Sequence, residues 1–243
     1  MTKRAIGTAL VTGASQRLGK VIAIHLAEQG YDVAVHHRSS DEDARAVAGR
    51  IEELGRRAVI LQADLSRESE LAPLVSAAAD ELGGLGLLVN NAAIFEEDDF
   101  GRMKRESWDM HIDTNLRAPI MLSEAFAAQA AAGASIVNII DQRVLNPAPE
   151  FISYTLSKTG LWSATQLMAK AYAPRVRVNA VGPGPTLPSV HQRPGEFEAE
   201  VAATPLKKAV DPAEIAAAVH FLATMPSVTG QLILVDSGQH LGG

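Results

Sequence analysis

Val11-Thr-Gly-Ala-Ser-Gln-Arg-Leu-Gly19 is the stretch on which the reading of this chain turns. An apolar, β-branched run, Ala5–Val11, leads into it, and an amphipathic helical pattern, Leu18–Gln29, leads out of it. A glycine-bearing turn between a strand and a helix is where α/β domains hold a dinucleotide. Gly13 permits a tight turn, and Gly19 permits close packing of helix on sheet. The helix N-terminus offers free N–H groups and partial positive charge to a pyrophosphate. The same glycines would also serve an ordinary βα turn, so the rest of the chain has to decide between the two.

Outward from this turn, apolar runs alternate with helical patterns. Candidate strands follow at Asp32–His36, Arg57–Gln62, Leu87–Asn90, Ser135–Ile140, Arg175–Ala180 and Leu232–Val235. Between them lie helical patterns at Asp41–Leu54, Glu68–Leu82, Ser107–Ala131, Phe151–Ala171 and Pro212–Ala223. This alternation predicts an α/β fold with a mostly parallel sheet of seven strands and helices on both faces. Strands that are short and nearly all apolar fit a sheet covered on both sides. No linker divides residues 1–243, so one domain is expected. The Gly/Pro-rich stretch Gly182–Pro194 runs on to about Val210, with only a weak helical patch at Glu196–Ala203. It predicts a flexible substrate loop over residues 182–210.

Composition narrows the function classes. The 243 residues are 47% hydrophobic, yet no apolar run approaches the roughly 20 residues needed to cross a bilayer. The basic start at Met1 leads through a short apolar run directly into the glycine turn, so no signal peptide is expected. Cysteine is absent, which excludes disulfides and thiolate chemistry and fits a cytoplasmic protein. The net charge of −6 argues against a general nucleic-acid binder. The acidic run Glu96–Asp99 reads as a solvated loop, and no metal site is expected.

The end of the second strand bears on cofactor choice. There an acidic residue takes the ribose hydroxyls of NAD, whereas an arginine accommodates the 2′-phosphate of NADP. Here the strand runs out into His36-His37-Arg38-Ser39-Ser40. Arg38 can make a bidentate, charge-assisted contact with phosphate, and Ser39 adds a hydroxyl donor. Arg17 supplies a second cation nearby. The reading is NADP, with Ser40 capping the next helix.

Tyr154 and Lys158 lie four residues apart in a helical pattern and so share a face. An ammonium beside a phenol favours the phenolate, so the tyrosine pKa is expected to fall towards neutrality. Such a pair can protonate a heteroatom as hydride arrives on the adjacent carbon. Asp141 stands thirteen residues before Tyr154. An ionised carboxylate only accepts hydrogen bonds, which suits a substrate rich in N–H groups rather than a simple ketone. Phe95, at the edge of the acidic run, is placed to stack on a flat ring. His191, within the loop, is a possible substrate contact.

Taken together, these residues resemble the short-chain dehydrogenase/reductase family along nearly the whole chain. The likeness is carried by Thr12–Gly19, Asp64, Asn90-Asn-Ala-Ala93, Asn115, Tyr154/Lys158 and Pro183-Gly184. It implies a Rossmann-type, doubly wound fold, a nicotinamide cofactor and a Tyr154–Lys158 proton donor. It further implies a cofactor site formed by Gly13, Ser15, Arg17, Leu18, Gly19, His37, Arg38, Ser39, Asp64, Leu65, Asn91, Ala92, Ala93, Tyr154, Lys158, Pro183 and Gly184. Asn115 would support a water relay to Lys158. Two departures, Arg17 for a glycine and Asp141 for the usual serine, resemble the pteridine reductases, including dihydromonapterin reductases. His37-Arg38-Ser39 and Phe95 share that likeness, which implies a pterin substrate held by Arg17, Phe95, Asp141 and Tyr154. Ala93 departs from it, removing a hydroxyl that the subgroup often carries. The family also implies a homotetramer. A carbonyl reductase of an oxoacyl thioester, sugar or quinone fits the wider likeness, and a dinucleotide-sensing regulator fits the fold alone.

Overall fold

Seven short strands lie side by side in the computed structural model, which describes residues 7–189 and 191–242. They are β1 (Gly7–Val11), β2 (Tyr31–His37), β3 (Ala58–Gln62), β4 (Leu87–Asn90), β5 (Ala134–Ile139), β6 (Val176–Pro183) and β7 (Leu232–Val235). Their order is β3-β2-β1-β4-β5-β6-β7, and every neighbouring pair is parallel. Ala5 and Ile6, which the sequence pattern assigns to the first strand, lie outside the described residues.

The helices are α1 (Arg17–Glu28), α2 (Asp41–Glu53), α3 (Glu68–Leu82), α4 (Arg105–His111), α5 (Ala118–Gln129), α6 (Ile152–Tyr172), α7 (Glu196–Ala203) and α8 (Pro212–Thr224). Successive strand residues point to opposite faces of the sheet. Ala9 and Val11 therefore pack with Ile22 and Leu26 of α1, Val47 of α2 and Ile215 of α8. Leu10, between them, packs with Leu74 of α3, Phe126 of α5 and Met168 of α6 on the other side. This double coverage is the doubly wound arrangement expected from the sequence. Strand order reverses between β1 and β4, which opens a crevice at the carboxyl ends of the strands. Under it runs a buried polar chain: Asn90 Nδ2 donates to Asn138 Oδ1 at 2.8 Å, and Asn138 Nδ2 donates to Thr165 Oγ1 at 2.8 Å. It ties β4, β5 and α6 together.

The helical pattern Ser107–Ala131 is one continuous course but not one regular helix. Between α4 and α5 the backbone widens into a π-helical turn, Ile112–Arg117. Asn115 sits in that turn, and its amide reads both backbone groups of Ile94: Ile94 N–H donates to Oδ1 and Nδ2 donates to the Ile94 carbonyl, each at 2.9 Å. Wider turns of this kind recur at functional sites. β6 continues three residues beyond its predicted end at Ala180 and delivers the loop at Pro183. The weak pattern at Glu196–Ala203 forms α7, none of whose side chains is buried. Ser40 makes no side-chain cap on α2, although Asp41, Glu42 and Asp43 line its first turn as expected. Among the described residues no helix is long and apolar enough to cross a membrane, and no cluster of side chains is suited to a metal ion.

Candidate active site

The glycine turn is built tightly between the ends of β1, β2 and β4. Gly13 takes a left-handed φ of +61°. A Cβ on Gly19 would lie 2.0 Å from the Gly13 carbonyl oxygen, so only glycine fits there. Thr12 Oγ1 accepts the N–H groups of Asn91 at 2.9 Å and Ala92 at 3.0 Å, and Asn91 Nδ2 donates to the Thr12 carbonyl at 2.8 Å. Arg17 occupies the expected glycine position with a left-handed φ of +48°. For a side-chain-bearing residue that conformation costs about 1–2 kcal/mol. Its guanidinium Nη2 donates to the Pro188 carbonyl at 2.9 Å and more weakly to Leu187, so it ties the turn to the substrate loop. A glycine could not make that link.

His36 is the strut beneath this turn, a role that nothing in the chain signals beyond its place in the strand. Its Nδ1 accepts the Gly13 N–H at 3.0 Å, which fixes the ring hydrogen on Nε2, where it donates to the Ala63 carbonyl at 3.1 Å. Burial lowers its pKa to about 4, opposed by the Ala63 hydrogen bond. The ring is neutral near pH 7.

Beyond it, the end of β2 suits a dianionic group. Arg38 and Ser39 are exposed at the crevice, and among the described residues the Arg38 guanidinium has no hydrogen-bond or ion-pair partner. His37 is buried, and its Nδ1 has no hydrogen-bond partner. Asp64 follows β3. Its carboxyl is held below its usual range, first by the Ser66 hydroxyl at 2.7 Å. The crevice is about 1130 Å³ and is lined by every residue that the sequence assigns to cofactor or substrate, and by every assigned catalytic residue except Asn115. Gly13, Ser15, Arg17, Leu18 and Gly19 form one end, and Asn91, Ala92, Ala93, Pro183 and Gly184 flank the middle. Asn115 lies behind the lining, where Nδ2 also approaches Ser157 Oγ at 3.2 Å. Its amide is committed to these groups and, among the described residues, makes no hydrogen bond to Lys158.

Asp141, Tyr154 and Lys158 meet at the far end. Tyr154 Oη donates to Asp141 Oδ2 at 2.9 Å, and Arg143 N–H donates to Asp141 Oδ1 at 2.9 Å. Lys158 lies over the Tyr154 ring but, among the described residues, makes no hydrogen bond to its hydroxyl. Its Nζ reaches back to the Ile139 carbonyl at 2.8 Å and stands 5.8 Å from the Tyr154 ring centroid. The expectation of an acidified phenol is therefore reversed in this arrangement. Burial, and then the adjacent Asp141 carboxylate, push the Tyr154 pKa well above its ordinary value. Burial also raises Asp141, against the opposing hydrogen bonds from Arg143 and Tyr154. Burial lowers Lys158 to about 8.

Two aromatic rings complete the wall. Phe95 stacks on Phe151 with centroids 4.2 Å apart and planes 11° from parallel, and meets Tyr154 edge-on at 4.7 Å. Its ring thus adjoins the phenol, as a substrate platform requires, but one of its contacts is already taken by Phe151. Phe151 is the N-cap of α6 with φ +55°, a conformation no propensity argument would assign to phenylalanine. His191 approaches Phe95 at 6.1 Å and Glu96 at 3.5 Å, so it belongs to the mouth of the same cleft. The acidic run is not wholly solvated. Asp98 is buried, accepts the Ser153 N–H at 3.1 Å and takes the Ser153 hydroxyl. It caps α6 from another segment, because α6 has no side-chain cap of its own.

The comparisons agree with this geometry. A family model described as enoyl-(acyl carrier protein) reductase matches residues 13–240. A 3-oxoacyl-[acyl-carrier-protein] reductase, FabG, of Staphylococcus epidermidis is 32% identical over 241 residues, covering 96% of this chain and 99% of that protein. Among solved structures, FolM alternative dihydrofolate reductase 1 from Brucella canis, complexed with NADP, has a TM-score of 0.95 at 44% identity, covering 100% of this chain and 97% of that one. A short-chain dehydrogenase from Burkholderia cenocepacia, also with NADP, has a TM-score of 0.89 at 33% identity, covering 95% and 96%. With a family match over nearly its full length and a crevice, turn and Tyr154–Lys158 pair of this form, the chain belongs to the short-chain dehydrogenase/reductase family.

Proposed function

We propose that this oxidoreductase is an NADPH-dependent reductase of a pterin or dihydropterin. The observation that carries the reading is Asp141, whose carboxylate lies 2.9 Å from the Tyr154 hydroxyl beside the Phe95 ring. A carboxylate there repels a developing alkoxide, but it accepts hydrogen bonds from the amino and ring N–H groups of a pterin. Phe95 offers a stacking partner for the flat bicycle. The Brucella relative described as an alternative dihydrofolate reductase, at 44% identity, supports the same substrate class.

The reduced nicotinamide supplies the hydride, and this chain supplies binding, orientation and a proton. The Gly13–Gly19 turn takes the pyrophosphate. His37, Arg38 and Ser39 take the ribose phosphate, and Asp64 and Leu65 border the adenine. Lys158 spends one of its three N–H donors on Ile139 and keeps two for sugar hydroxyls. Tyr154 donates its proton to the ring nitrogen next to the reduced carbon, turning its hydroxyl away from Asp141 to do so. Asn115 holds the Ile94 backbone that follows Ala93. The loop over 182–210, latched to Arg17, covers the substrate.

A carbonyl reductase is the second reading, favoured by the 3-oxoacyl relatives at 32% identity and above. NADPH oxidation measured with dihydrobiopterin, dihydromonapterin and an acetoacetyl thioester separates the two. Pterin turnover is expected, and turnover of the thioester alone would overturn the proposal. The assembly is proposed to be a homotetramer in the cytoplasm. Leu156 and Leu167, exposed and about three turns apart on α6, would be covered in one interface. A monomer at micromolar concentration by light scattering would remove this part.

A further inference from the structure

From the Tyr154 phenol an aromatic path runs outward along the cleft wall and ends on a cation. Tyr154 meets Phe95 at 4.7 Å, Phe95 stacks on Phe151 at 4.2 Å, and the Arg143 guanidinium carbon sits 5.5 Å over the Phe151 ring. All four residues line the crevice. Among the described residues the Arg143 side chain has no hydrogen bond and no ion pair, and its Nη1 is shut off from solvent without an acceptor. Asp141, two residues before it, does not satisfy it with a hydrogen bond. Asp141 receives the Arg143 main-chain N–H and the Tyr154 hydroxyl instead.

Other cations that line the cleft, Arg38 at the end of β2 apart, are engaged: Arg17 donates to Leu187 and Pro188, Arg193 lies against Glu196, and Lys158 donates to Ile139. A desolvated guanidinium N–H without an acceptor is unfavourable in the free protein. The loss is recovered if the substrate brings an anion to it. Phe151 strengthens the case, because a bulky side chain held at φ +55° is a strained placement, kept where the ring lies between Phe95 and Arg143.

We propose that Arg143 and Phe151 form an anion subsite of the substrate cleft, taking the carboxylate end of a pterin that carries an aryl-carboxylate tail, as dihydrofolate does. The proposal rests on the pterin reading above and narrows it. The reactive bicycle sits at Tyr154 and Phe95, the aryl linker passes the edge of Phe151, and the carboxylate meets the guanidinium fork. A tailless dihydropterin uses only the inner half of this path.

Steady-state NADPH oxidation with dihydrofolate and with dihydrobiopterin, for the wild type and for Arg143→Gln, tests it. The substitution is expected to raise KM for dihydrofolate about tenfold or more with kcat retained, and to leave KM for dihydrobiopterin within about twofold. Arg143→Lys, which keeps charge without the fork, should recover part of the loss. Binding gives an independent reading in the presence of NADPH. Arg143→Gln should weaken methotrexate, which bears the carboxylates, and spare 2,4-diaminopteridine, which does not. Equal changes for tailed and tailless compounds, or no change for either, overturn the subsite while leaving pterin reduction intact. A wild type that neither reduces nor binds any of these compounds overturns the pterin reading itself.

Discussion

Acid should loosen this protein through His36, and by an amount that can be worked out. The ring is buried neutral, with Nδ1 accepting from Gly13 and Nε2 donating to Ala63, and its pKa lies at about 4 against 6.5 for a free imidazole. Between these values the unfolded chain binds a proton that the folded chain refuses. Stability therefore rises with pH across this window; its full contribution is present above about 6.5 and is lost as pH falls towards 4. At about 1.4 kcal/mol per pH unit the loss amounts to roughly 3 kcal/mol. Urea unfolding at several pH values from 7.5 to 4.5, for the wild type and for His36→Gln, isolates it. Glutamine offers an acceptor and a donor but does not titrate, so the variant should show a shallower fall by that amount. Every other titrating group, His220 included, is common to both proteins and cancels. NADPH affinity should show no loss from this ring over the same range, because the folded protein keeps His36 neutral until pH approaches 4. Parallel stability curves for the two proteins would refute the strut.

Three further outcomes are expected. Arg38→Asp should raise KM for NADPH about a hundredfold and barely change that for NADH, measured by steady-state kinetics, because it trades a charge-assisted phosphate contact for repulsion. Asp98→Ala should lower stability by about 1–2 kcal/mol in chemical denaturation and lower kcat, whereas Asp98→Asn, which still accepts the Ser153 N–H, should recover most of both. Lys158, lowered to about 8 by burial, should give kcat/KM an alkaline fall above that pH, and a profile flat to pH 10 would contradict its role as a cation.

The fold was legible because its signals are local. Apolar runs such as Leu87–Asn90 and the turn from Val11 to Gly19 carry their structural meaning within a few residues. Many residues lining the crevice were legible for the same reason, since Gly13, Arg38, Asp64, Asn91, Asp141 and Gly184 each follow the carboxyl end of a strand. What the sequence hid are contacts between distant segments. His36 meets Gly13 and Ala63, 23 and 27 positions away. Helical spacing put Lys158 beside Tyr154, but it could not show that Nζ would turn to a carbonyl of β5. The four contiguous acids at Glu96–Asp99 spell solvent, yet one of them, Asp98, turns inward because α6 begins with Phe151, which has no capping group to offer.

That inward turn also explains why the site holds together. Asp98 fixes the N-terminus of α6 through Ser153, the residue before Tyr154, and it lies three positions after Phe95. His111 reinforces the joint. Its Nε2 accepts the Glu96 N–H at 3.2 Å, which places the ring hydrogen on Nδ1, 2.8 Å from the Ser107 carbonyl and 2.9 Å from Ser153 Oγ. Helix α6, the loop bearing Phe95 and helix α4 are thus joined by one buried network rather than by three independent contacts. Buried polar networks of this kind favour a unique arrangement when every member is satisfied. Phe95 and Tyr154 therefore keep a fixed edge-to-face spacing of 4.7 Å, and the network holds the phenol at one height against the aromatic wall.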